Sequence, residues 1–382
     1  MAKRKKVRAD FRKNRSLPAR KSDWTRQFDE HGFKEQDTSS NERVSGKGDL
    51  TRRRTVHTDE TGSADDGERA FPMRLAVDEA ACRRGRVLSV HGLTSTVQGD
   101  EGEIYHCATR RILKTLSTDQ RNPVAVGDRV LLRLVENMRP KEGLIERVEP
   151  RHGTLSRAIR GRRQLLVTNV DQLLIVASVA EPPLKPNLID RLLVAAEKGR
   201  VRPVICLNKI DLGDPAALQP LVGVYSRMGY AVLLLSAKTG FGLDRFRRLL
   251  GGRESVVAGQ SGVGKSSLLN AIEPALGLPI GSVCVETEKG RHTTTTARLL
   301  PVAGGFVVDT PGMRQFEPWD VIAEEVAGYF RDLRPYVSLC RFPDCTHTHE
   351  QACAVKDAVA DGQVDQRRYE SYCHLIQDRP EE

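Results

Sequence analysis

No run of about 18 consecutive apolar residues occurs in the 382-residue chain, so the sequence offers no helix suited to crossing a bilayer. The amino terminus, MAKRKKVRADFRKNR, is basic and lacks the apolar stretch of a secretory signal. Nor do the cysteines have the look of a disulfide framework: of eight, three crowd into residues 340–353 beside histidines, which suits a metal site in a reducing cytosol better. What remains is a chain with 39% apolar residues, long enough for two or three domains with real cores. Its net charge of +10, much of it in the first 60 residues, favours a polyanionic partner.

Texture divides the chain into four parts. Residues 1–84 are rich in Lys, Arg, Asp, Ser, Thr and Gly without a sustained apolar period, and read as a mostly disordered basic arm that orders along RNA. Its runs KRKK (3–6) and RRR (52–54) suit phosphates. Residues 85–152 hold short alternating runs bounded by Gly, Asn and Pro, the pattern of a small OB-type β-barrel. Tyr105 is the one aromatic residue of that segment, so base stacking there is limited; Arg110, Arg111, Arg129 and Arg133 are the candidates for backbone contacts. Residues 153–320 alternate buried strand runs with helical spacing, which implies a mostly parallel α/β sheet. In it, LIDRLLVAAEKG (188–199) reads as a helix stopped by Gly199. Residues 321–382 read as a small helical domain around the cysteines.

The strongest signal is GQSGVGKSS at 259–267, which fits G-x-x-x-x-G-K-[ST] between a strand run, ESVVAG, and a helical run, KSSLLNAI. Glycines let successive N–H groups of Gly259, Gln260, Ser261, Gly262, Val263 and Gly264 turn toward phosphate. Lys265 then reaches the β- and γ-phosphates, Ser266 ligates Mg²⁺, and Ser267 continues the loop into the helix. Base identity is read by NKID, Asn208, Lys209, Ile210 and Asp211, after another strand. The Asp211 carboxylate accepts the paired N1–H and N2–H₂ of guanine, which adenine lacks, so GTP is favoured over ATP. Asn208 and the Lys209 stem brace that turn; Ser236, Ala237 and Lys238 (SAK) end the next strand, where the Ala237 N–H meets guanine O6.

Downstream, GRHTTTT (290–296) provides Thr294, or a neighbouring Thr, to complete the Mg²⁺ shell. FVVDTPG (306–312) provides Asp309 for Mg²⁺ through water, and the Gly312 N–H for the γ-phosphate. Most GTPases place the phosphate loop first and the base-reading turns last. Here NKID and SAK come first, so the domain is circularly permuted. Near the carboxyl end, Cys340-x₄-Cys345-x-His347-x₅-Cys353 offers three thiolates and an imidazole, a closed structural Zn²⁺ set; His349, Cys373 and His374 are rival ligands.

Over residues 85–378 these motifs resemble the RsgA (YjeQ/YloQ) family of circularly permuted GTPases. The resemblance implies a cytoplasmic, monomeric factor of late small-subunit maturation, with GTP and GDP as ligands and no membrane partner. It further implies that the barrel and zinc domain grip rRNA near the decoding centre, and that the ribosomal particle stimulates hydrolysis and hydrolysis releases the factor. Met313 follows the DTPG glycine where many GTPases carry a water-orienting Gln, which implies slow intrinsic turnover. The resemblance points to His292 as the catalytic replacement. The long arm departs from the family pattern. Two rival readings stay open, a regulatory GTPase with a protein partner and an RNA-binding module with structural GTP.

Overall fold

The structure, a computed structural model, describes residues 4–10, 53–59, 75–92, 94–111, 113, 123–135, 141–159, 162–279, 298–309 and 323–377. It divides into two compact units, residues 1–154 with 160–169, and residues 155–159 with 170–382.

In the first unit, β1 (Arg4–Asp10) pairs antiparallel with β2 (Arg53–Asp59), Val7 standing opposite Val56. Each strand of this pair is centred on a β-branched residue that favours extended backbone. A closed barrel follows from β3 (Arg83–His91), β4 (Thr94–Gly99), β5 (Ile104–Thr109), β6 (Arg129–Leu134) and β7 (Glu142–Val148). Its strand order is β3-β4-β5-β7-β6, closed by β3 pairing with β6. Alternate residues point inward, so Val87, Val97, Tyr105, Cys107, Val130, Leu132 and Ile145 fill the interior.

Two boundaries differ from the sequence reading. Leu75 is buried in the barrel core, and Glu79 binds the buried Arg147 at 2.5 Å, so the barrel begins inside what reads as arm. At the other end the unit runs to Asn169, because Thr168 Oγ1 donates to Asp128 at 2.7 Å and Asn169 Nδ2 donates to the Gly127 carbonyl at 2.8 Å. The aromatic Tyr105 is 2% exposed and unavailable for stacking. Arg110 and Arg133, expected to face phosphates, instead converge on the buried Glu146 at 3.0 and 3.4 Å. A carboxylate inside a barrel wall needs such partners, and the alternating pattern does not reveal it.

β8 (Leu155–Ile159) belongs with the second unit and β9 (Arg162–Val167) with the first. The second unit is built on β10 (Gln172–Ser178), β11 (Arg202–Asn208), β12 (Ala231–Leu234), β13 (Glu254–Ala258), β14 (Arg298–Val302) and β15 (Gly305–Asp309). The sheet order is β12-β11-β10-β13-β15-β14, parallel except for the β14–β15 hairpin. β13 is buried along its whole length and β11 after its first residue, as expected of strands covered on both faces. Four helices follow strands: α1 (Pro186–Gly199), α2 (Gln219–Arg227), α3 (Leu243–Leu250) and α4 (Lys265–Ile272). Gly199 is the last helical residue of α1 rather than its stop; Arg200 takes the left-handed cap at φ 52°.

α5 (Ala323–Tyr329), α6 (Arg334–Val337), α7 (Ala354–Ala360) and α8 (Gln366–Gln377) complete this unit. Their core of Val326, Phe330, Leu333, Val355 and Tyr372 takes in Val194 from α1. Beside it lies a buried charge cluster. Arg368, 3% exposed, binds Asp190 of α1 and grips Asp332 with two bonds of 3.0 Å, while the Tyr225 hydroxyl donates to Asp190 at 2.8 Å. Arg368→Ala would leave two carboxylates without their guanidinium. The expected loss is about 3–5 kcal/mol of unfolding free energy, read from urea unfolding of the variant beside the parent chain.

Candidate functional site

Every described base- or phosphate-reading motif sits at a carboxyl end of a parallel strand, the edge where open α/β sheets bind ligands. Asn208 ends β11, Ser236 follows β12, and Gly259 to Gly264 join β13 to α4. Asp309 ends β15, beside β13. Thr294, Gly312, Met313 and His292 lie outside the described residues, and so do the GRHTTTT and TPG loops.

The phosphate loop has the backbone its glycines allow. Gly259 has φ +147°, and a Cβ there would stand 2.0 Å from the Val176 carbonyl oxygen of β10. Gly264 caps α4 at φ +94°, with room for a Cβ denied by Asn208 Nδ2 at 2.4 Å. The Lys265 ammonium folds back along the loop and donates to the Gly259 and Gln260 carbonyls, both at 2.8 Å. Ser266 and Ser267 occupy the first turn of α4, and Val263 is buried under the loop. N–H groups at the start of this helix, with its dipole, form a phosphate-binding surface.

Asn208 ties this loop to the base-reading turns. Its Nδ2 donates to the Val263 carbonyl at 2.8 Å, and its Oδ1 accepts from the Ala237 N–H at 3.3 Å. The next link is Ser236, whose hydroxyl donates to Asp211 at 2.6 Å and accepts from the Thr239 N–H at 3.1 Å. That hydroxyl bond is the main reason the exposed Asp211 carboxyl lies below its ordinary range, so it is ionised at neutral pH. Lys209, left-handed at φ 62°, sends its ammonium to the Glu181 carbonyl after β10. Ile210 and Lys238 lie on the same two turns. Glu181 could not be found from residue type, because its contribution is a backbone carbonyl.

The carboxyl-terminal cluster is equally compact. One donor atom from each of Cys340, Cys345, His347 and Cys353 lies within 4.8 Å of the others. Cys340 Sγ and Cys353 Sγ are 3.8 Å apart, and His347 Nδ1 stands 3.3 and 3.5 Å from them. Tetrahedral Zn²⁺ with bonds of about 2.3 Å to sulfur and 2.0–2.1 Å to nitrogen requires roughly 3.8 Å between sulfurs and about 3.5 Å from sulfur to nitrogen. Cys340, His347 and Cys353 meet these spacings, and with the Cys345 sulfur within 4.8 Å of all three the four residues could hold a metal ion. Burial pushes the Cys345 thiol up to about 12, so a bound cation would supply the charge that favours the thiolate. Of the rivals, His349 faces solvent, and neither Cys373 nor His374 joins the cluster.

Residues that the motif alone does not identify hold the ligand loop. Glu350 accepts from the Thr346 N–H and hydroxyl, both at 2.6 Å, and from the Thr348 N–H at 3.0 Å. Burial opposes its charge, but these donors prevail and hold its carboxyl down to about 2. Tyr369 and Tyr372 donate to the His347 and Thr346 carbonyls at 2.8 and 2.7 Å. The run THTHE carries a signal for the first of these, an acid two and four residues after threonine donors.

Two outcomes follow from this geometry. Gly264→Ala should lower GTP affinity at least about 100-fold, measured by fluorescent-nucleotide titration, since both its φ and its space exclude a Cβ. Metal content of that variant should match the parent. Glu350→Ala should weaken metal retention about tenfold in chelator competition, because partners that orient ligands typically contribute 10–100-fold. Its carboxylate bracing is present above the ordinary Glu range of about 4.3 and is lost as pH falls through about 2.

Comparisons with known proteins agree with this geometry. The sequence profile described as RsgA GTPase matches residues 148–319. The small ribosomal subunit biogenesis GTPase RsgA of Sodalis glossinidius is 40% identical over 302 residues, covering 77% of this chain and 85% of that protein. The protein of the same name from Shewanella oneidensis is 37% identical over 338 residues, covering 86% and 93%. Among solved structures, YjeQ from Thermotoga maritima superposes with a TM-score of 0.62 at 37% identity, over 78% of this chain and all (100%) of that one. YloQ, titled a circularly permuted GTPase, gives 0.59 at 31%, over 80% and 100%. With phosphate loop and base-reading turns in permuted order on one sheet edge, and relatives this similar along most of their length, the chain belongs to the RsgA family of GTPases.

Proposed function

We propose that this GTPase acts in late maturation of the small ribosomal subunit, binding rRNA near the decoding centre, accelerated by the particle and released on hydrolysis. The observation that carries the reading is the Asn208 bridge between base-reading and phosphate loops, in a chain whose relatives are named for small-subunit biogenesis. The net charge of +10 supports a polyanionic partner, and among the described residues no helix is long and apolar enough to cross a membrane. A cytoplasmic monomer is the form we assign.

In this reading Asp211 selects guanine, Asn208, Lys209 and Ile210 shape the turn, and Ser236, Ala237 and Lys238 close over the base. Residues Gly259 to Ser267 cradle the phosphates, with Lys265 supplying the cation. Ser266 and Thr294 would hold Mg²⁺, with Asp309 behind them, and the ion would neutralise charge on the phosphate oxygens. The Gly312 N–H and Thr294 sense the γ-phosphate. Cys340, Cys345, His347 and Cys353 would hold one structural Zn²⁺ that fixes the carboxyl-terminal RNA grip.

His292 is the residue assigned to the attacking water, since Met313 has no group that can orient it. Held near water by the particle, an imidazole contributes about 10²–10⁴-fold to such a step. The test is multiple-turnover phosphate release with and without purified small subunits. The parent should be strongly stimulated, and His292→Ala should lose stimulation by about 100-fold while binding GTP and particle normally. Undiminished stimulated turnover would remove His292 from the mechanism. Equal turnover with and without particles would favour a protein-regulated GTPase.

A further inference from the structure

A cleft of about 610 Å³ opens in the second unit, lined by Glu197 at the end of α1, Arg227 at the end of α2, and Arg331, Asp332, Arg334 and Tyr336 around α6. The ends of α1 and α2 precede β11 and β12, so the cleft lies at the amino ends of these strands. The nucleotide-reading turns occupy the opposite, carboxyl edge. The cleft is therefore a separate place on the molecule, walled by both the sheet-flanking helices and the metal-bearing region.

Its charges are unequally engaged. Asp332 is held by both arms of Arg368, and Glu197 is held by Arg331 at 2.7 Å. Arg331 also donates to the Met228 carbonyl at the end of α2 and stacks 4.2 Å from the Tyr230 ring centroid. The carboxylates and a carbonyl of the negative end of α2 are thus already matched. Arg227 and Arg334 are exposed, and among the described residues neither forms an ion pair. With Tyr336 beside them, the lining combines two uncommitted guanidiniums with an aromatic face. That chemistry suits the phosphates and a base of single-stranded nucleic acid. The volume falls in the range of small-ligand pockets, roughly 300–1,000 Å³, enough for a nucleotide or two but not for a folded element.

We infer that this cleft takes a single-stranded RNA segment, its phosphates on Arg227 and Arg334 and a base against Tyr336. The inference rests on the RNA-bound reading above and adds a contact remote from the GTP edge. Such a contact joins the GTPase helices and the metal-bearing region to one strand of RNA, so both are held by the same ligand.

The test uses the full chain with Arg227→Gln and Arg334→Gln together, and a second version with both changed to Glu. Binding is measured across a salt series to two probes, purified small subunits and a ten-nucleotide single-stranded oligoribonucleotide of mixed sequence. GTP affinity and metal content serve as fold controls and should equal the parent's. For the oligonucleotide, the Gln pair should bind about tenfold more weakly at about 0.15 M salt, with the salt slope reduced by roughly 1.4, about 0.7 for each lost phosphate contact. The Glu pair should bind more weakly still. A photocrosslinking analogue in place of Tyr336 should label RNA on the particle.

Unchanged oligonucleotide affinity and slope in both versions would overturn the assignment. So would label appearing on a ribosomal protein, which would make the cleft a seat for an acidic protein segment. Oligonucleotide binding that depends on the two arginines, with no binding of particles by the parent, would retain the cleft and remove the ribosomal reading instead.

Discussion

One amide organises the nucleotide edge. Asn208 receives an N–H from the SAK turn and gives one to the phosphate loop, so two loops far apart in the chain share a single side chain. Close approach is the condition: Gly264 stands where its missing Cβ would meet the same nitrogen at 2.4 Å. A neutral, buried, doubly bonded side chain is well suited to this, because it holds position at a modest desolvation cost. Asp211 does the opposite work. It stays exposed and charged, oriented by the Ser236 hydroxyl, in a position to meet a polar ligand edge.

Permutation changes what is covalently attached to this edge without changing the edge. β13 keeps its place between β10 and β15, so the phosphate loop has the same strand neighbours whichever segment comes first. What is gained is a carboxyl-terminal region that follows β15 in the chain and packs on α1, the helix that leaves β10. The join is made with charge as well as apolar contact. Arg368 with Asp190 and Asp332 is a buried ionic arrangement that joins the region to α1, and removing one partner would leave uncompensated charge there. Tyr372 and Tyr369, on the same helix as Arg368, hold the carbonyls of Thr346 and His347 in the loop of the Cys and His cluster. The helix that makes this join thus also holds the loop.

Much of this is legible in the sequence. GQSGVGKSS, NKID and SAK are short segments whose chemistry depends on residue type at fixed spacing, and the strands before them are buried runs that announce themselves. The Cys and His spacing points to Cys340, Cys345, His347 and Cys353 but leaves His349, Cys373 and His374 as rivals; the gathering of the first four, with His349 facing solvent, is seen only in the structure. The barrel was legible as alternation, yet its arginines were not. Arg110, Arg133 and Glu146 lie on strands whose pattern says inward or outward, not which charges find each other. Arg368 was equally hidden, since its partners are 178 and 36 residues away. Leu75 lies in the short apolar run AFPMRLAV (70–77), which is too brief to show a strand or helix period.

Those hidden pairs bear on how the net charge should be read. Arg110, Arg147, Arg151 and Arg368 are buried against Glu146, Glu79, Asp128 and Asp190, and each such pair cancels in the total. The excess of +10 must therefore reside elsewhere in the sequence, and much of it falls in the first 60 residues. Charge that is not paired inside the fold remains free to act over about a Debye length, near 8–10 Å in physiological salt. The charges that stabilise the described folded units are thus largely distinct from those that make up the excess. A change in ionic strength should move attraction to a polyanion far more than the stability of the folded units, because buried pairs are screened little and exposed ones strongly.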